Sequence, residues 1–209
     1  MFFSLIKNIW SRYKVYSLRV KYKKASIGDN IFLPRRFRIV NSSGRSDHIM
    51  SFGNNSFLNC SIFFEKASIS SVIIGNNGYL GSGVSIYCTE KIELGNNVTV
   101  AWDVVFYGHN SHPLDFMERR QIVSDFVKNY TSNSPDRDID WANVKSGSIL
   151  IGNDVWIGFG CIILKDTIIG DRSIVSAGSV VRGTFPSDVI IAGNPAKVVG
   201  QVKKNEHKK

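Results

Sequence analysis

The sequence predicts an all-β fold, a three-sided solenoid built from short strands, and two observations predict it. The first is an aliphatic residue at every sixth position from Ile151 to Val181, without a slip. This period fits neither an α-helix nor an isolated strand, which repeat every 3.6 and 2 residues. It fits a coil of about 18 residues with three sides, each placing one aliphatic side chain inward.

The second observation is a recurring turn, in which an apolar residue is followed by Gly and then by Asn or Asp. It marks the start of each predicted coil, at Ile27-Gly28-Asp29, Phe52-Gly53-Asn54, Ile74-Gly75-Asn76, Leu94-Gly95-Asn96, Ile151-Gly152-Asn153 and Ile169-Gly170-Asp171. Gly, Asn and Asp tolerate the positive φ that a tight corner needs. The spacings are 25, 22, 20, 57 and 18 residues, so one long excursion leaves the coils between Phe106 and Ile149.

Three segments between residues 149 and 200 resemble the hexapeptide-repeat acyltransferases: VWIG, IIG-D-SIVSAGSVV and IIAGNPAKVVG. They look most like the bacterial sugar and polysaccharide O-acetyltransferases of the galactoside and maltose acetyltransferase type. The resemblance covers residues 72–200 well, 25–71 loosely and 1–24 not at all. It implies a left-handed parallel β-helix over 25–200 with an excursion loop at 107–148. It also implies a homotrimer with acetyl-CoA bound between neighbouring subunits.

The charge of the chain is concentrated at its ends. The net charge is +9, of which residues 1–24 carry +7 and residues 197–209 carry +4, leaving 9 − 7 − 4 = −2 for the other 172 residues. A nucleic-acid-binding protein is expected to carry its basic patch on the folded body, so this function is excluded. Residues 201–209 are predicted to form a basic tail.

The three cysteines and the lengths of the apolar runs limit which other classes of protein the sequence can represent. Cys60, Cys88 and Cys161 have no metal-binding or redox spacing and are predicted to fill the interior. No apolar run approaches the ~20 residues of a membrane span. The apolar stretch Phe2–Ile6 is too short for a secretory signal, so a cytoplasmic protein is expected.

Residues 1–24 form a basic, aromatic segment that predicts an amphipathic helix. Positions 2, 6, 9, 13, 16 and 20 share one face and are all aromatic or aliphatic. One interpretation is a helix at the surface of an anionic membrane, on the inner face of the cytoplasmic membrane. The other is a helix packed on the end of the solenoid or on a neighbouring subunit, where it covers the open edge of the first coil.

The segment from Phe106 to Pro113, where the chain leaves the coils, holds two of the four histidines. Acetyl transfer to a sugar hydroxyl needs a base, and a neutral imidazole suits that role near neutral pH. The resemblance assigns the base to His112, since the related enzymes often carry a catalytic His-Pro on a loop after the matching coil. His109 is the alternative, and a structural role for both histidines also stays open. A loop carbonyl or Asp115 is a candidate partner for the His112 ring.

The resemblance also implies the residues that hold acetyl-CoA. Phe159 follows Trp-Ile-Gly and lies where an oxyanion donor is expected, so that only its backbone N–H is able to donate. The other implied contacts are Trp156 at the acceptor end, Gly158 and Gly160 for close approach, Ala177 and Gly178 along the pantetheine arm, and Arg182 and Lys197 near the phosphates of CoA. An equal alternative for Trp156 is packing at the trimer interface. The alternative for Arg182 and Lys197 is that each is an ordinary solvated charge.

The excursion lacks the period of six and is predicted to be a loop that shapes the acceptor site or binds the adjacent subunit. Its aromatic residues are Phe116, Phe126, Tyr130 and Trp141, and Pro135-Asp136 predicts a turn. We expect O-acetylation of a sugar hydroxyl in a cell-surface polysaccharide or its precursor.

Three alternatives remain beside O-acetylation. An N-acetyltransferase of an amino sugar is less favoured, because such families usually carry an additional N-terminal nucleotide-binding domain that these residues do not show. A non-catalytic trimeric scaffold is the second alternative. The third is a zinc enzyme like the γ-type carbonic anhydrases, but that site needs three histidines and only two are near each other. No metal is therefore expected.

Overall fold

A computed structural model describes residues 2–66, 68–131 and 141–203, with the side chains of residues 2–8, 130 and 131 left outside that description. In chain order its elements are α1 (Phe2–Lys21), β1 (Ala25–Ile27), β2 (Arg38–Asn41), β3 (Ile49–Phe52), β4 (Phe57–Phe64), β5 (Ser71–Ile74), β6 (Tyr79–Cys88), β7 (Lys91–Leu94), β8 (Thr99–Val100), β9 (Val105–Tyr107), α2 (Phe116–Thr131), β10 (Ile149–Ile151), β11 (Trp156–Ile157), β12 (Ile162–Ile169), β13 (Ile174–Val175), β14 (Val180–Phe185), β15 (Val189–Gly193) and β16 (Ala196–Gln201).

The strands stack in parallel on three sides, which confirms the predicted fold class, an all-β parallel β-helix solenoid. The first side holds β1, β3, β5, β7, β10 and the ends of β12 and β14. The second side holds the starts of β4 and β6, then β8, β11, β13 and β15. The third side holds β2, the remainder of β4 and β6, β9, and the starts of β12 and β14. Only β16 pairs antiparallel among the described strands, with β15.

One aliphatic column fills the interior, as the period of six predicts. The six residues from Ile151 to Val181 that define the period are each 3% exposed or less. Cys60, Cys88 and Cys161 are buried and free, which confirms the prediction that they fill the interior. Burial raises the pKa of Cys60 and of Cys88 to about 12, so both remain protonated thiols near neutral pH.

The glycine turns between the first and second sides correct one detail of the sequence interpretation. The positive φ falls two residues after each glycine, for example at Asn77 (φ 57°), and in the last of these turns at Arg172 rather than at Asp171. The glycines themselves are required for a different reason. A Cβ on Gly75 would lie 2.6 Å from the carbonyl oxygen of Gly95 in the next coil, so a side chain there would separate the coils.

Helix α1 covers the end of the first coil, but with a different face from the one that its aromatic residues suggest. Leu18 and Tyr22 are buried, and the hydroxyl of Ser11 accepts a hydrogen bond of 2.8 Å from the Leu33 N–H. The predicted face stays exposed at Ile9, Tyr13, Tyr16 and Val20, and the neighbouring Trp10 is exposed as well. The members of that face at positions 2 and 6 lie among the side chains outside the description. Neither described helix is long and apolar enough to cross a bilayer.

The excursion contains a helix, where the sequence interpretation expected only a loop. Its base is closed by hydrogen bonds of 2.9–3.0 Å, from Gly147 N–H to Gly108 and from Asn110 N–H to Lys145. Asp115 then caps α2, because its Oδ1 accepts hydrogen bonds from the N–H groups of Met117 and Glu118. Asp115 is therefore an N-cap, and the expected turn at Pro135-Asp136 lies outside the described residues.

Candidate active site

Two edges of the third side carry the residues that the sequence analysis selects. We call the turns between the second and third sides the open edge; they comprise residues 81–83, 101–103, 158–160 and 176–178. We call the loops between the third and first sides the excursion edge; their described residues are 42–48, 65–66, 68–70, 89–90, 108–131, 141–148 and 165–166. In one coil the two edges are separated by five residue steps, from 103 to 108, a span of about 16 Å for extended chain.

His109 lies on the excursion edge and is buried, with 4% of its surface exposed. Its Nε2 lies 2.9 Å from Oε2 of Glu65, and its Nδ1 accepts a hydrogen bond of 3.0 Å from the N–H of Ser111. Its ring also packs edge-on against Trp141, with 5.1 Å between centroids. Both ring nitrogens are thus occupied, so His109 fixes the start of the excursion and has no free lone pair for a substrate hydroxyl.

His112 has the opposite environment three residues later. It is exposed, while the following Pro113 is buried and anchors the loop. Within the described part of the chain, its ring forms no hydrogen bond or ion pair, and Asp115 is engaged with α2 instead. An unoccupied imidazole on an anchored loop is able to take a proton from a bound hydroxyl.

The open edge is a row of tight turns with exposed backbone and aromatic rings. Trp102 and Phe159, in adjacent coils, stack with 5.4 Å between ring centroids and are each more than half exposed. Gly160 donates a hydrogen bond to the carbonyl of Trp102, and Gly178 donates one to that of Phe159. In the described residues, the N–H groups of Phe159 and Ala177 donate to no protein group.

This pattern refines the roles expected along the pantetheine arm. The N–H of Gly178 already bonds within the protein, so the available donors of these turns are those of Phe159 and Ala177. A Cβ on Gly160 or Gly178 would meet no atom within 4 Å, so the space beside the turns is open. Gly158 differs, because its Cβ would lie 2.6 Å from the Ala177 nitrogen; this glycine is required by coil packing. The open edge therefore fits an extended amide-bearing chain such as pantetheine.

The remaining predicted contacts lie at different places. Trp156 is 53% exposed on the second side, two residues before the turn at 158–160. Lys197 is exposed and pairs in the β15–β16 ladder with Ala192, near the C-terminal end of the open edge. Arg182 lies across the third side, on the excursion edge, where its guanidinium contacts Asp166 at 3.2 Å. One chain thus does not bring Arg182 together with Ala177 and Lys197.

Glu65 and Trp102 are residues of this region that the sequence analysis missed. The position of Glu65 could have been predicted from the strand register, because Phe63, Tyr87 and Tyr107 are aligned on the third side. Two residues further along each strand, this alignment places Glu65 and His109 on the same edge. No group of three or more His, Cys, Asp or Glu side chains is placed to hold a metal ion anywhere in the described ranges.

The first comparison with known proteins concerns the repeat itself. Residues 148–183 match the family described as bacterial transferase hexapeptide (six repeats). This part of the chain carries the hexapeptide repeat of that family, and the parallel β-helix is the one that its sequence predicts.

Relatives among known proteins narrow this class. The chain is 28% identical over 163 residues to the "Putative lipopolysaccharide biosynthesis O-acetyl transferase WbbJ" of Escherichia coli, covering 78% of this chain and 76% of that protein. It is 27% identical over 150 residues to the galactoside O-acetyltransferase of the same organism, covering 72% of this chain and 63% of that protein. It is also 26% identical to the dTDP-4-amino-4,6-dideoxy-D-glucose acyltransferase of E. coli, covering 63% of this chain and 82% of that protein. The resemblance to sugar acetyltransferases is confirmed, and an acyltransferase acting on a sugar-related substrate is supported.

Solved structures share the fold. The N-acyltransferase AntD of Bacillus cereus, in complex with dTDP and 3-hydroxybutyryl-CoA, has a TM-score of 0.64 at 19% identity, covering 91% of this chain and 88% of that one. The hexapeptide-repeat acetyltransferase VCA0836 of Vibrio cholerae, complexed with acetyl-CoA, has a TM-score of 0.55 at 20% identity, covering 92% and 79%. Among the relatives by sequence are thus a galactoside O-acetyltransferase and an acyltransferase of a dTDP-linked amino sugar.

Proposed function

We propose that this protein is an acetyl-CoA-dependent O-acetyltransferase that modifies a sugar hydroxyl of a cell-surface polysaccharide or its precursor, and that it acts as a homotrimer. One observation carries the proposal: the exposed imidazole of His112 lies on a loop of the excursion edge, whereas the turns with available N–H groups lie along the opposite edge of the same side. A second subunit is then needed to bring the excursion edge of one copy against the open edge of the next. Cyclic assembly of identical copies provides such contacts repeatedly.

His112 is the proposed base, because it is the exposed imidazole of this edge with no partner among the described residues. It takes the proton of the sugar hydroxyl as the oxygen attacks the thioester carbonyl. The carbon–sulfur bond of the tetrahedral intermediate then breaks, the sulfur leaves with the electron pair, and the proton on the imidazole passes to it. The products are the O-acetylated sugar and CoA thiol. The Phe159 N–H is the proposed donor to the developing oxyanion.

His109 is the second candidate for the base, favoured by its contact with Glu65. A carboxylate that orients an imidazole is a recurring feature of general-base sites. For His109 to act, the Ser111 N–H must leave Nδ1, whereas His112 needs no such rearrangement. We therefore assign the Glu65–His109 pair to positioning the loop that carries His112.

A mixing experiment tests whether the site is shared between subunits. His112→Ala removes the base from one edge, and Ala177→Trp fills the open edge, so each variant alone is expected to lose most of its activity. In trimers formed at random from equal amounts of both, about one interface in four pairs an intact His112 with an intact Ala177. We expect co-expression to restore about a quarter of wild-type acetyl transfer, measured by release of CoA thiol.

The control for this experiment mixes the purified variants without subunit exchange, which should restore nothing. Absence of recovery in co-expressed, trimeric protein would show that one chain holds the complete site. The same assay, applied to matched hydroxyl and amino sugars, decides between O- and N-acetylation. Transfer only to the amino sugars would replace the proposal with an N-acetyltransferase.

The exposed face of α1 is proposed to rest on an anionic membrane surface. Trp10, Tyr13 and Tyr16 are each more than half exposed, and residues 1–24 contain seven basic and no acidic residues. Aromatic rings with interspersed cations suit the headgroup region of anionic lipids. Co-sedimentation with vesicles containing phosphatidylglycerol, but not with pure phosphatidylcholine, is expected, and Trp10→Ser with Tyr13→Ser should abolish it. If the double variant instead loses the trimer, a neighbouring subunit covers this face.

A further inference from the structure

A cavity opens at the N-terminal end of the open edge, and three arginines contribute to its wall. Its volume is 470 Å³, within the range of small-molecule sites. Arg35 and Arg36 come from the turn before β2, and Arg38 is the first residue of β2. None of the three forms an ion pair with a carboxylate in the described ranges of the chain. The cavity therefore concentrates positive charge that the described protein groups do not neutralise.

Two of the guanidinium groups form hydrogen bonds with hydroxyl groups of neighbouring strands. Arg36 donates a hydrogen bond of 3.3 Å to the hydroxyl of Ser82, 46 residues along the chain. Arg38 donates from Nε to the Ser61 hydroxyl at 3.0 Å, and its guanidinium lies over the ring of Phe63. Each bond uses one N–H of a group that has five, so the remaining donors stay available for a planar anion.

The turn that carries Arg35 and Arg36 is itself fastened by α1. The ammonium of Lys14 donates to the carbonyls of residues 34, 35 and 37 at 2.6–2.8 Å. Burial lowers the pKa of this ammonium from its ordinary value, but three carbonyl partners satisfy all its donors. The arginine turn is thus ordered before any ligand arrives, which reduces the entropy lost on binding.

The remaining polar groups of the cavity favour a ligand with more than charge alone. Oδ1 of Asn59 is buried without a hydrogen-bond partner and lies in the wall of the cavity. Asp103 is the one carboxylate in the wall, and its Oδ1 faces the backbone of Gly83. Three guanidinium groups against one carboxylate leave a net positive site that still offers acceptors to a sugar hydroxyl.

We propose that this cavity binds the phosphate or diphosphate group of a phosphate-linked sugar acceptor. Arginine is the residue that best matches phosphate oxygens, through paired charge-assisted hydrogen bonds. The Arg36 guanidinium ends at Ser82, one coil and about 4.8 Å before Trp102 on the open edge. A diphosphate there places the attached sugar beside the Trp102–Phe159 stack. This assignment rests on the proposed function, which locates the acetyl group at the same stack.

Binding of inorganic pyrophosphate and of UDP to the full-length protein, measured by calorimetry, tests the site without catalysis. The variant is Arg36→Gln with Arg38→Gln, and the matched control is Arg45→Gln, a partly exposed arginine paired with Asp47 outside the cavity. We expect the double variant to bind both probes about 10-fold more weakly or worse, and the control to bind them as the wild type does. Arg36→Gln alone, which loses one surface hydrogen bond, serves if the double variant fails to fold.

Acetyl transfer identifies the source of the phosphate. A UDP-linked sugar, a sugar linked to a short polyprenyl diphosphate, and the neutral methyl glycoside are compared as acceptors. The double variant should lose at least 10-fold in kcat/KM for a diphosphate-linked acceptor, with an unchanged KM for acetyl-CoA and no change for the glycoside. Whichever linked acceptor shows the loss identifies a nucleotide or a lipid carrier.

The outcomes separate this site from the proposed function. Equal pyrophosphate binding by wild type and double variant, or an equal loss in Arg45→Gln, overturns the phosphate site. Weakened pyrophosphate binding together with no transfer to any sugar supports the phosphate site and overturns the proposed function. A third outcome is efficient transfer to the glycoside and to the linked acceptors, with no change in either when the arginines are replaced. That outcome supports the proposed function and overturns the phosphate site.

Discussion

The two edges of the third side differ in how they are built. The open edge consists of turns of about three residues, whose backbone groups and aromatic rings face outward. The excursion edge accepts long loops, and it carries His48, His109 and His112, which are all the histidines in the described ranges. A solenoid thus builds two kinds of surface: short turns present a uniform row of backbone groups, and insertions at another corner place individual side chains such as His112.

Removal of the His112 imidazole from the excursion edge is the change with the largest expected effect on activity. His112→Ala should lower kcat by about 10²- to 10⁴-fold, because the attacking hydroxyl would lose the proposed base. The KM for acetyl-CoA should stay close to that of the wild type, since the open edge is untouched. Steady-state kinetics separate the two constants, and an equal deterioration of both would mean that His112 only supports the structure.

Changes to the Glu65–His109 pair should lower activity less than loss of His112 does. In the proposed mechanism this pair only positions the loop that carries His112. In Glu65→Gln the amide still reaches the ring but without charge, and a loss of about 10-fold in kcat is expected. His109→Asn should resemble Glu65→Gln in magnitude. A loss in His109→Asn as large as that in His112→Ala, with a correctly folded trimer, would transfer the role of base to His109.

Coil packing at the open edge can be tested through stability. Gly158→Ala places a Cβ 2.6 Å from the Ala177 nitrogen, so the two coils must separate. The expected cost is about 1–3 kcal/mol in the free energy of unfolding. Gly200→Ala is the matched control, because its Cβ would meet only the Ile190 side chain, at 3.7 Å, and should change stability by less than about 0.5 kcal/mol. Similar values for both in denaturant unfolding would contradict the close approach.

His48 on the excursion edge should produce a small pH dependence of stability. Burial lowers its pKa below the usual value of about 6.5, and its Nδ1 accepts a hydrogen bond from the Ser70 N–H that a proton would break. The unfolded chain therefore binds the proton first, so stability is complete above about pH 6.5 and is lost as the pH falls below it. The slope is at most about 1.4 kcal/mol per pH unit, and His48→Asn should reduce it in thermal unfolding curves.

The sequence predicted the coils well because their signal is local. Each aliphatic residue from Ile151 to Val181 faces inward within its own strand, so a period in the sequence becomes a period in burial. The same logic located the excursion between Phe106 and Ile149. Helix α2 was missed although Asp115 and Glu118 have the spacing of a capping pair, because the absence of a period of six was interpreted only as a loop.

Contacts between distant segments were harder to predict. Glu65 meets His109 only because the register accumulates over two coils of unequal length, which the spacing of glycine turns does not define residue by residue. For α1 the sequence offers an aromatic face, but the end of the first coil selected the smaller face with Ser11, Leu18 and Tyr22. Which face packs depends on the shape of the surface it meets, and that shape is not encoded within the helix.

The coil that begins at Gly152 is 18 residues long, and its strands continue in register into the next coil. A unit that begins and ends at equivalent corners can be copied in tandem. A gene with residues 152–169 duplicated should therefore yield a protein taller by one rung of about 4.8 Å. Because that rung enters C-terminal to Phe159, it would lengthen the row of turns towards Lys197 and leave the arginine cavity and Trp102 where they are. The height of the β-helix is therefore a whole number of rungs, and duplication of one 18-residue coil should change it by one rung.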